Sequence, residues 1–344
     1  MPKTLLTFLK ILLPVVAVLI LNGCGLAPPL TTDLEEYASR LARVLDSSFP
    51  DVGSDTTLPY PSRQTLFNPL EEAEITLPDF YSIQSCELGT LVAERNTTLG
   101  KQQDAAASWI YESALVTALE NCVRKLKQTD ENPSLANRLD ELRAMKATQL
   151  QKVWANLIQT STETRQAFSQ SKELITADSN RDAESGINAL AWLTTLPDEG
   201  NVTSEQINGQ LKILESSRIP AKVWKSQKVF SAHLSALNRL LPAPLADINC
   251  DNGKASEEAE ILRNVFYLFF IERIQPAGSQ LNQYMYKLQP TLNALQASPY
   301  LSEAFKDYLT ERELEFRQYR EVMAEHIGLW QHFLGRCNLS PQAG

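Results

Sequence analysis

The sequence predicts an all-α protein: a multi-helix bundle with a long C-terminal helix and an extended Pro-rich segment. Three observations carry this reading. Apolar residues recur at steps of three and four along most of the chain, the period of an amphipathic helix. No stretch alternates apolar and polar residues over the length of a strand. Prolines 50, 59, 61, 69 and 78 crowd into residues 47–79, and residues without a backbone donor oppose a helix interior. The composition, 43% hydrophobic and 21% charged over 344 residues, is that of a globular chain.

Residues 1–23 read as a leader. Lys3 and Lys10 are the only charges before Cys24, and an apolar run fills residues 11–21. That run is shorter than the roughly 20 residues a spanning helix needs, and the order of charge, apolar core and small residues is that of a signal peptide. Leu21-Asn22-Gly23-Cys24 resembles the lipobox of bacterial lipoproteins, in which cleavage precedes the cysteine and its sulfur takes a diacylglycerol. Leu21 and Gly23 fit that pattern, whereas Asn22 departs from it. Gly25 stands where an aspartate would mark inner-membrane retention, so the analogy points to the outer membrane. An anchor of two or more acyl chains holds stably. The expected layout is a signal peptide over 1–23, a lipidated tether over 24–32 and a single all-helical domain over 33–344. If that domain is split into two lobes, the division falls near residue 180.

Thr32-Asp33-Leu34-Glu35 has capping-box form and predicts a helix to about Asp46. Residues 47–79 are expected to lie extended over the helices, with a short helical turn near 70–74. Helices follow over about 80–95 and 103–127, separated by the breaker Asn96-Thr97-Thr98-Leu99-Gly100. Asn132-Pro133 supplies a cap and a first-turn proline for a helix expected to run without a break to about Leu174. Shorter helices are expected near 182–195 and 204–216, then one over 221–241. Pro242-Ala243-Pro244 and the polar residues after it read as a loop. Ser256 caps the next helix, whose run Val265-Phe266-Tyr267-Leu268-Phe269-Phe270-Ile271 is apolar all round. It therefore reads as fully buried and as ended by Pro276, with Pro290 kinking its successor.

The last helix is the clearest element. From Ser302, residues Phe305, Leu309, Arg312, Phe316, Tyr319, Met323, His326, Trp330, Phe333 and Cys337 alternate steps of four and three. That is an a/d seam roughly 54 Å long at 1.5 Å per residue, and it must be buried against other helices. Lys152-Val153-Trp154 recurs as Lys222-Val223-Trp224, but the flanks differ and the recurrence reads as chance.

Losing the leader removes two lysines and no acid, which deepens the net charge of −9 by two. This balance excludes general nucleic-acid binding, which needs a basic footprint, and docking through a polybasic patch. Of the five cysteines, four follow Cys24: Cys86, Cys122, Cys250 and Cys337. An even number in an exported chain suggests two disulfides in one of three pairings. Cys86–Cys122 with Cys250–Cys337 is favoured, since each bridge would tie two helices that can pack side by side. Chain entropy assigns about 4 kcal/mol to either. No C-x-x-C and no paired Cys/His spacing occur, so neither a thioredoxin-type function nor zinc ligation is expected.

Nucleophile elbows, P-loops, H-E-x-x-H and dinucleotide fingerprints are missing from the sequence. No catalytic residue, metal or cofactor is therefore expected. His326, on the apolar seam, reads as a hydrogen-bonded core histidine, with a proton-responsive site as the alternative. Arg312, on the same seam, needs a carboxylate partner. Trp109, Trp154, Trp192, Trp224 and Trp330 have spacings that suit core packing or the lining of a groove. The candidate functional cluster is Arg63, Glu94, Arg95 and Asn96. Glu94-Arg95-Asn96 sits at an expected helix end, where Asn96 would take the left-handed conformation. Arg63 could pair with Glu94 if the Pro-rich segment crosses that helix.

LPYPSRQTL (58–66), CELGTLVAERNTTLGK (86–101) and HIGLWQHFLGRC (326–337) resemble an uncharacterised family of proteobacterial lipoproteins, domain of unknown function 3080. The likeness covers most of the chain after the leader. It implies an exported, lipid-anchored protein and transfers no catalytic residue. The expectation is a non-enzymatic binding or scaffold module on the periplasmic face of the outer membrane, with an envelope protein or peptide as partner. The alternatives are an envelope glycan or cell-wall hydrolase working through carboxylates, and a carrier of an apolar ligand in a cavity between helices.

Overall fold

In the computed structural model the Pro-rich segment is a strap, pinned to one helix by two side-chain amides. Asn156 and Gln159 lie buried on one helix face and replace the backbone ladder that prolines cannot make. Asn156 accepts from the Asn68 N–H at 2.8 Å and donates to the Asn68 carbonyl at 2.9 Å. Gln159 donates to the Leu66 carbonyl and accepts from the Ser302 N–H at 2.9 Å. Leu58 and Leu66 anchor the strap in the core. The structure describes residues 30–340 apart from 50–51, 54, 73–74, 97–103, 131, 179, 200–201 and 251–252.

The described residues are helical and contain no strand. Helix α1 (Leu30–Val44) begins inside the stretch expected to be tether, so Thr32 lies within its first turn rather than capping it. Leu30, Leu34, Tyr37 and Leu41 form its buried stripe. Within the strap, a short α2 (Arg63–Leu66) forms where Ser62 caps the Thr65 N–H. The turn expected near 70–74 is not helical over residues 70–72, and the rest of it lies outside the described residues. α3 (Leu77–Ser82), a 3₁₀ turn (Ile83–Ser85) and α4 (Glu87–Arg95) replace the single helix expected over 80–95. The break falls at Cys86, which is extended at φ −107°, ψ 154°.

α5 (Ala105–Thr129) and α6 (Pro133–Thr160) form an antiparallel hairpin. Asp130, in the left-handed region at φ 52°, ends the first, and Asn132 caps the second through the Leu135 N–H. The run expected to reach Leu174 is interrupted at Ser161, which turns extended and caps α7 (Thr162–Ser169). α8 (Ala183–Thr195) continues into a 3₁₀ turn (Leu196–Asp198), and α9 (Ser204–Ser217) starts with a full capping box at Thr203 and Gln206. Arg218 ends α9 at φ 49°, an unusual conformation for a long side chain. Its guanidinium is fixed by the Glu215 and Gln170 carbonyls and by Gln166.

α10 (Ile219–Leu240) leads into α11 (Pro242–Asp247), which is helical where a loop was expected. Pro242 at a first-turn position loses no intrahelical bond. Ser256 caps α12 (Glu257–Val265) as expected. The helix then widens into a π segment (Phe266–Ile274) and carries on as α13 (Gln275–Ala297). Pro276 therefore does not end it: the Gln275 N–H reaches five residues back to the Phe270 carbonyl, and the wider turn accommodates the ring. The apolar run here is not buried on all sides, for Leu268 is 50% exposed. α14 (Glu303–Arg336) is the long final helix, and every residue of the expected seam is buried.

α10 and α14 run in the same direction. Trp224 packs on Tyr308, Phe230 on Tyr319, and Asn238 bonds the Val322 carbonyl. They form the centre of the main core, which α1, the π segment, α8 and α9 surround. A second, smaller core lies between residues 83 and 139, built from Ile83, Leu88, Leu119, Val123 and Leu139 among others. It belongs to α4 and the outer half of the α5–α6 hairpin, so the hairpin projects from the body as an arm.

Candidate functional site

The cysteines form Cys86–Cys122 and Cys250–Cys337, the pairing favoured from sequence. The first ties α4 to α5 inside the small core, and the second ties the loop after α11 to the end of α14. Cys24 lies outside the described residues.

The cluster of Arg63, Glu94, Arg95 and Asn96 is not one site. Arg63 is exposed on α2, which packs against α6 and α14, whereas Glu94, Arg95 and Asn96 close α4 in the arm. The ion pairs among the described residues do not include Arg63 with Glu94. Arg95 lies over the Tyr111 ring at 5.0 Å. Asn96 keeps right-handed helical angles (φ −75°, ψ −6°) rather than the left-handed ones expected, and its N–H returns to the Val92 and Glu94 carbonyls. Helix α4 thus ends on ordinary backbone bonds and needs no left-handed residue.

His326 does sit in a built polar site, enclosed in the main core. Its Nε2 faces the Tyr37 hydroxyl at 3.0 Å and the Trp330 indole at 3.2 Å, and its Nδ1 faces Asn238 Oδ1 at 2.8 Å. The indole can only donate, so Nε2 is the acceptor and Nδ1 carries the proton. Tyr37 therefore donates as well. Asn238 passes the chain on, donating to the Val322 carbonyl and to Glu325, both at 3.0 Å. Phe270 lies 4.7 Å from the imidazole, and Phe266 stacks on Trp330 at 4.6 Å, so the π segment forms the apolar lid of this network. Desolvation pushes the His326 pKa down to about 3. The imidazole is neutral at physiological pH and fully bonded, which makes it a joint between α1, α10 and α14. The sequence pointed to a bonded core histidine and gave no sign of which residues bond it.

Arg312 has the carboxylates its position demands. Glu311 approaches Nη2 at 2.7 Å and Glu315 approaches Nε at 3.2 Å, though neither oxygen lies along an N–H bond. Lys228 completes the chain at 3.6 Å from Glu315. Burial raises the Glu315 pKa, opposed by Arg312 and Lys228. A second buried pair, unforeseen from sequence, joins Lys146 of α6 to Glu112 of α5 at 3.3 Å, and Lys146 also donates to the Glu71 carbonyl of the strap at 3.2 Å. Glu112 sits between Trp109 and Leu115, and Lys146 between Leu142 and Leu150, at helical spacing, so the signal that marked Arg312, a charge on an apolar stripe, could have found them.

An apolar cleft lies where the arm meets the body. Leu91 of α4, Trp109 and Ile110 of α5, Leu150 of α6, Pro197 and Val202 line this cleft of about 520 Å³. Glu87 and Glu199 stand at its edges. Of the five tryptophans, Trp109 is thus the one that lines this cleft. Among the described residues no group of histidine, cysteine, aspartate or glutamate side chains could hold a metal ion. No helix of these residues is long and apolar enough to cross a membrane.

A family model matches residues 34–341. The chain belongs to the family described as Protein of unknown function (DUF3080). No curated protein and no solved structure matches the chain. The DUF3080 domain includes both disulfides, the His326 network, the Arg312 chain and the cleft; among the described residues only the first few of α1 precede it.

Proposed function

We propose that this protein is a lipid-anchored bacterial envelope protein, acylated at Cys24 and held at the periplasmic face of the outer membrane. There it acts as a non-enzymatic binding module. The cleft between arm and body carries this reading. Its floor is apolar, with a tryptophan, and its rim is acidic. It therefore suits an apolar segment of an envelope protein flanked by basic residues, laid against helices as helix-in-groove partners are. Two disulfides support export to an oxidising compartment, where such bridges persist. Cys86–Cys122 also stiffens the arm that forms one wall, which limits the ordering cost of binding.

Photo-crosslinking in cells tests this. A crosslinker at Val116, in the cleft, is expected to capture a defined envelope protein. Capture should be lost with Ile110→Glu and should not occur from Glu321 on the outer face of α14. Equal capture from both positions, or none from Val116 in cells that need the protein, overturns the reading. The anchor has its own test: palmitate label should enter the wild type and not Cys24→Ser.

A further inference from the structure

One face of α10 carries Lys228, Ser231, Ala232, Ser235 and Arg239, at steps of three, one, three and four. Across from it stand Glu315 and Gln318 of α14, and Val52, Gly53 and Asp55 of the strap close the side. Together they enclose a groove of about 490 Å³, within the size of small-ligand sites. None of the lining residues is aromatic.

The groove is bipolar. Because α10 and α14 are parallel, Lys228 is level with Glu315, at 3.6 Å. Lys228 also donates to the Thr57 carbonyl at 3.1 Å, which brings the strap and Asp55 to the same end. Arg312 also reaches Glu315, at 3.2 Å, and is matched by Glu311 at 2.7 Å, so three carboxylates (Asp55, Glu315 and Glu311) face two cations (Lys228 and Arg312), an excess of one negative charge. Arg239 stands eleven residues along α10, about 16 Å away at 1.5 Å per residue. Its Nε is bonded to the Ser235 carbonyl at 3.2 Å, and no ion pair among the described residues uses its guanidinium. Hydroxyls and an amide fill the distance between the two ends.

Next to the acidic end the interior has polar groups without hydrogen bonds. Gln227, fully buried beside Lys228, has neither amide atom hydrogen-bonded, and Glu315 Oε2 and the Arg312 nitrogens, though ion-paired, make no hydrogen bond. Buried groups of this kind are few in folded proteins and call for an explanation at each occurrence. Here Glu315 lines the groove itself, and Gln227 is the chain neighbour of Lys228, which lines it too.

We propose that this groove binds a short extended peptide, with a cationic group at the Asp55–Glu315 end and a free carboxylate at Arg239. An extended chain advances about 3.3 Å per residue, so the span between the charged ends corresponds to about five residues. A single amino acid is too short to meet both ends. A sugar ring finds no aromatic face to stack on. Peptide N–H and C=O groups match Ser231, Ser235 and Gln318, which offer both donors and acceptors. The groove shares no lining residue with the apolar cleft, so this inference stands apart from the function proposed above.

The test uses the full-length protein, immobilised in detergent, and an equimolar library of peptides Lys-Xaa-Xaa-Xaa-Ala with free C-termini. Retained peptides are read by mass spectrometry. A defined subset should be retained saturably, and its retention should fall at least tenfold in Asp55→Asn, in Arg239→Gln and when the library is C-terminally amidated. Both side chains are exposed, so the variants should keep the wild-type melting temperature. Retention no greater than in the Asp55→Asn/Arg239→Gln double variant overturns the proposal, as does equal retention of the amidated library. Loss with Ile110→Glu but not with the charge variants would place the peptide in the apolar cleft, which also overturns it.

Discussion

Tyr37, in the first helix, donates its hydroxyl to Nε2 of His326, 289 residues away in the last, at 3.0 Å. The Trp330 indole fixes the tautomer of this buried imidazole, and the Tyr37 bond ties the helix nearest the proposed anchor to the centre of the core. A joint of this kind passes any pull on the N-terminus into α14 rather than into a surface loop.

The same histidine makes stability depend on pH. The folded protein holds His326 neutral down to about pH 3, whereas an unfolded histidine takes a proton near pH 6.5. Between these values the unfolded chain binds more protons, so stability falls as the pH drops through this window. The loss is about 2 kcal/mol by pH 5 and about 4 kcal/mol at pH 3. His326→Gln should be less stable than wild type at pH 7. Because it lacks the titrating group, the gap should shrink by about 2 kcal/mol at pH 5. Urea unfolding of both proteins at the two pH values reads this directly, and a gap independent of pH removes His326 as the cause.

Arg312 and Glu315 should show strong coupling. Glu315→Leu leaves a guanidinium that is 1% exposed with only Glu311, itself 56% exposed, as a charged partner, and should cost about 3 kcal/mol or more. Arg312→Met costs less, because Glu315 keeps Lys228 and its raised pKa eases protonation. The double variant should recover most of the loss, since replacing a buried ion pair by packed apolar groups is often near neutral. A double-mutant cycle by urea unfolding measures this. If the two single costs simply add, Arg312 is not held by Glu315.

What the sequence made legible is what depends on one helix at a time. The seam of α14 could be read because each of its residues repeats the same geometric relation to the next. Ser256 and Asn132 could be read because a cap acts within three residues. The π segment could not, because Phe266 to Ile274 has the same apolar spacing in either helix type, and what decides is how Pro276 is accommodated. The Arg63–Glu94 pairing failed for a related reason. It assumed that the strap crosses α4, but Asn156 and Gln159 hold the strap on α6, and two side-chain amides on a long helix carry no sign of the segment they will bind. Tyr37 and Asn238 were equally silent, since each completes a network only when three helices meet.

The arm should open separately from the body when its disulfide is removed. Cys86–Cys122 closes a separation of 36 residues, worth about 4 kcal/mol in chain entropy, and the small core it braces draws on few side chains. In Cys86→Ser/Cys122→Ser, amide exchange should accelerate over α4 and residues 115–139 by at least tenfold. Exchange over α10 and the middle of α14 should stay within twofold of wild type. Uniform acceleration across both cores would mean that arm and body unfold as one unit, and the cleft between them would then be a fixed feature rather than an adjustable one.

Gly186 sets how closely α8 and α9 approach. A Cβ there would stand 2.0 Å from Ser217 Oγ and 2.6 Å from Ser217 Cβ, with Ile219 Cγ2 at 3.0 Å. Ser217 is itself buried and its hydroxyl is bonded to the Leu214 carbonyl, so it has nowhere to turn. Alanine is the better helix former by about 1 kcal/mol, which would make Gly186→Ala stabilising on an isolated helix. Overpacking of about 1–3 kcal/mol opposes this, and contacts this short place the cost at the upper end of that range. Gly186→Ala should therefore lower the melting temperature, and Ser217→Gly in the same chain should restore part of it by removing the two nearest atoms. A Gly186→Ala protein as stable as wild type would show that α8 and α9 can separate at little cost. The close approach would then be a consequence of the packing around it rather than a condition for it.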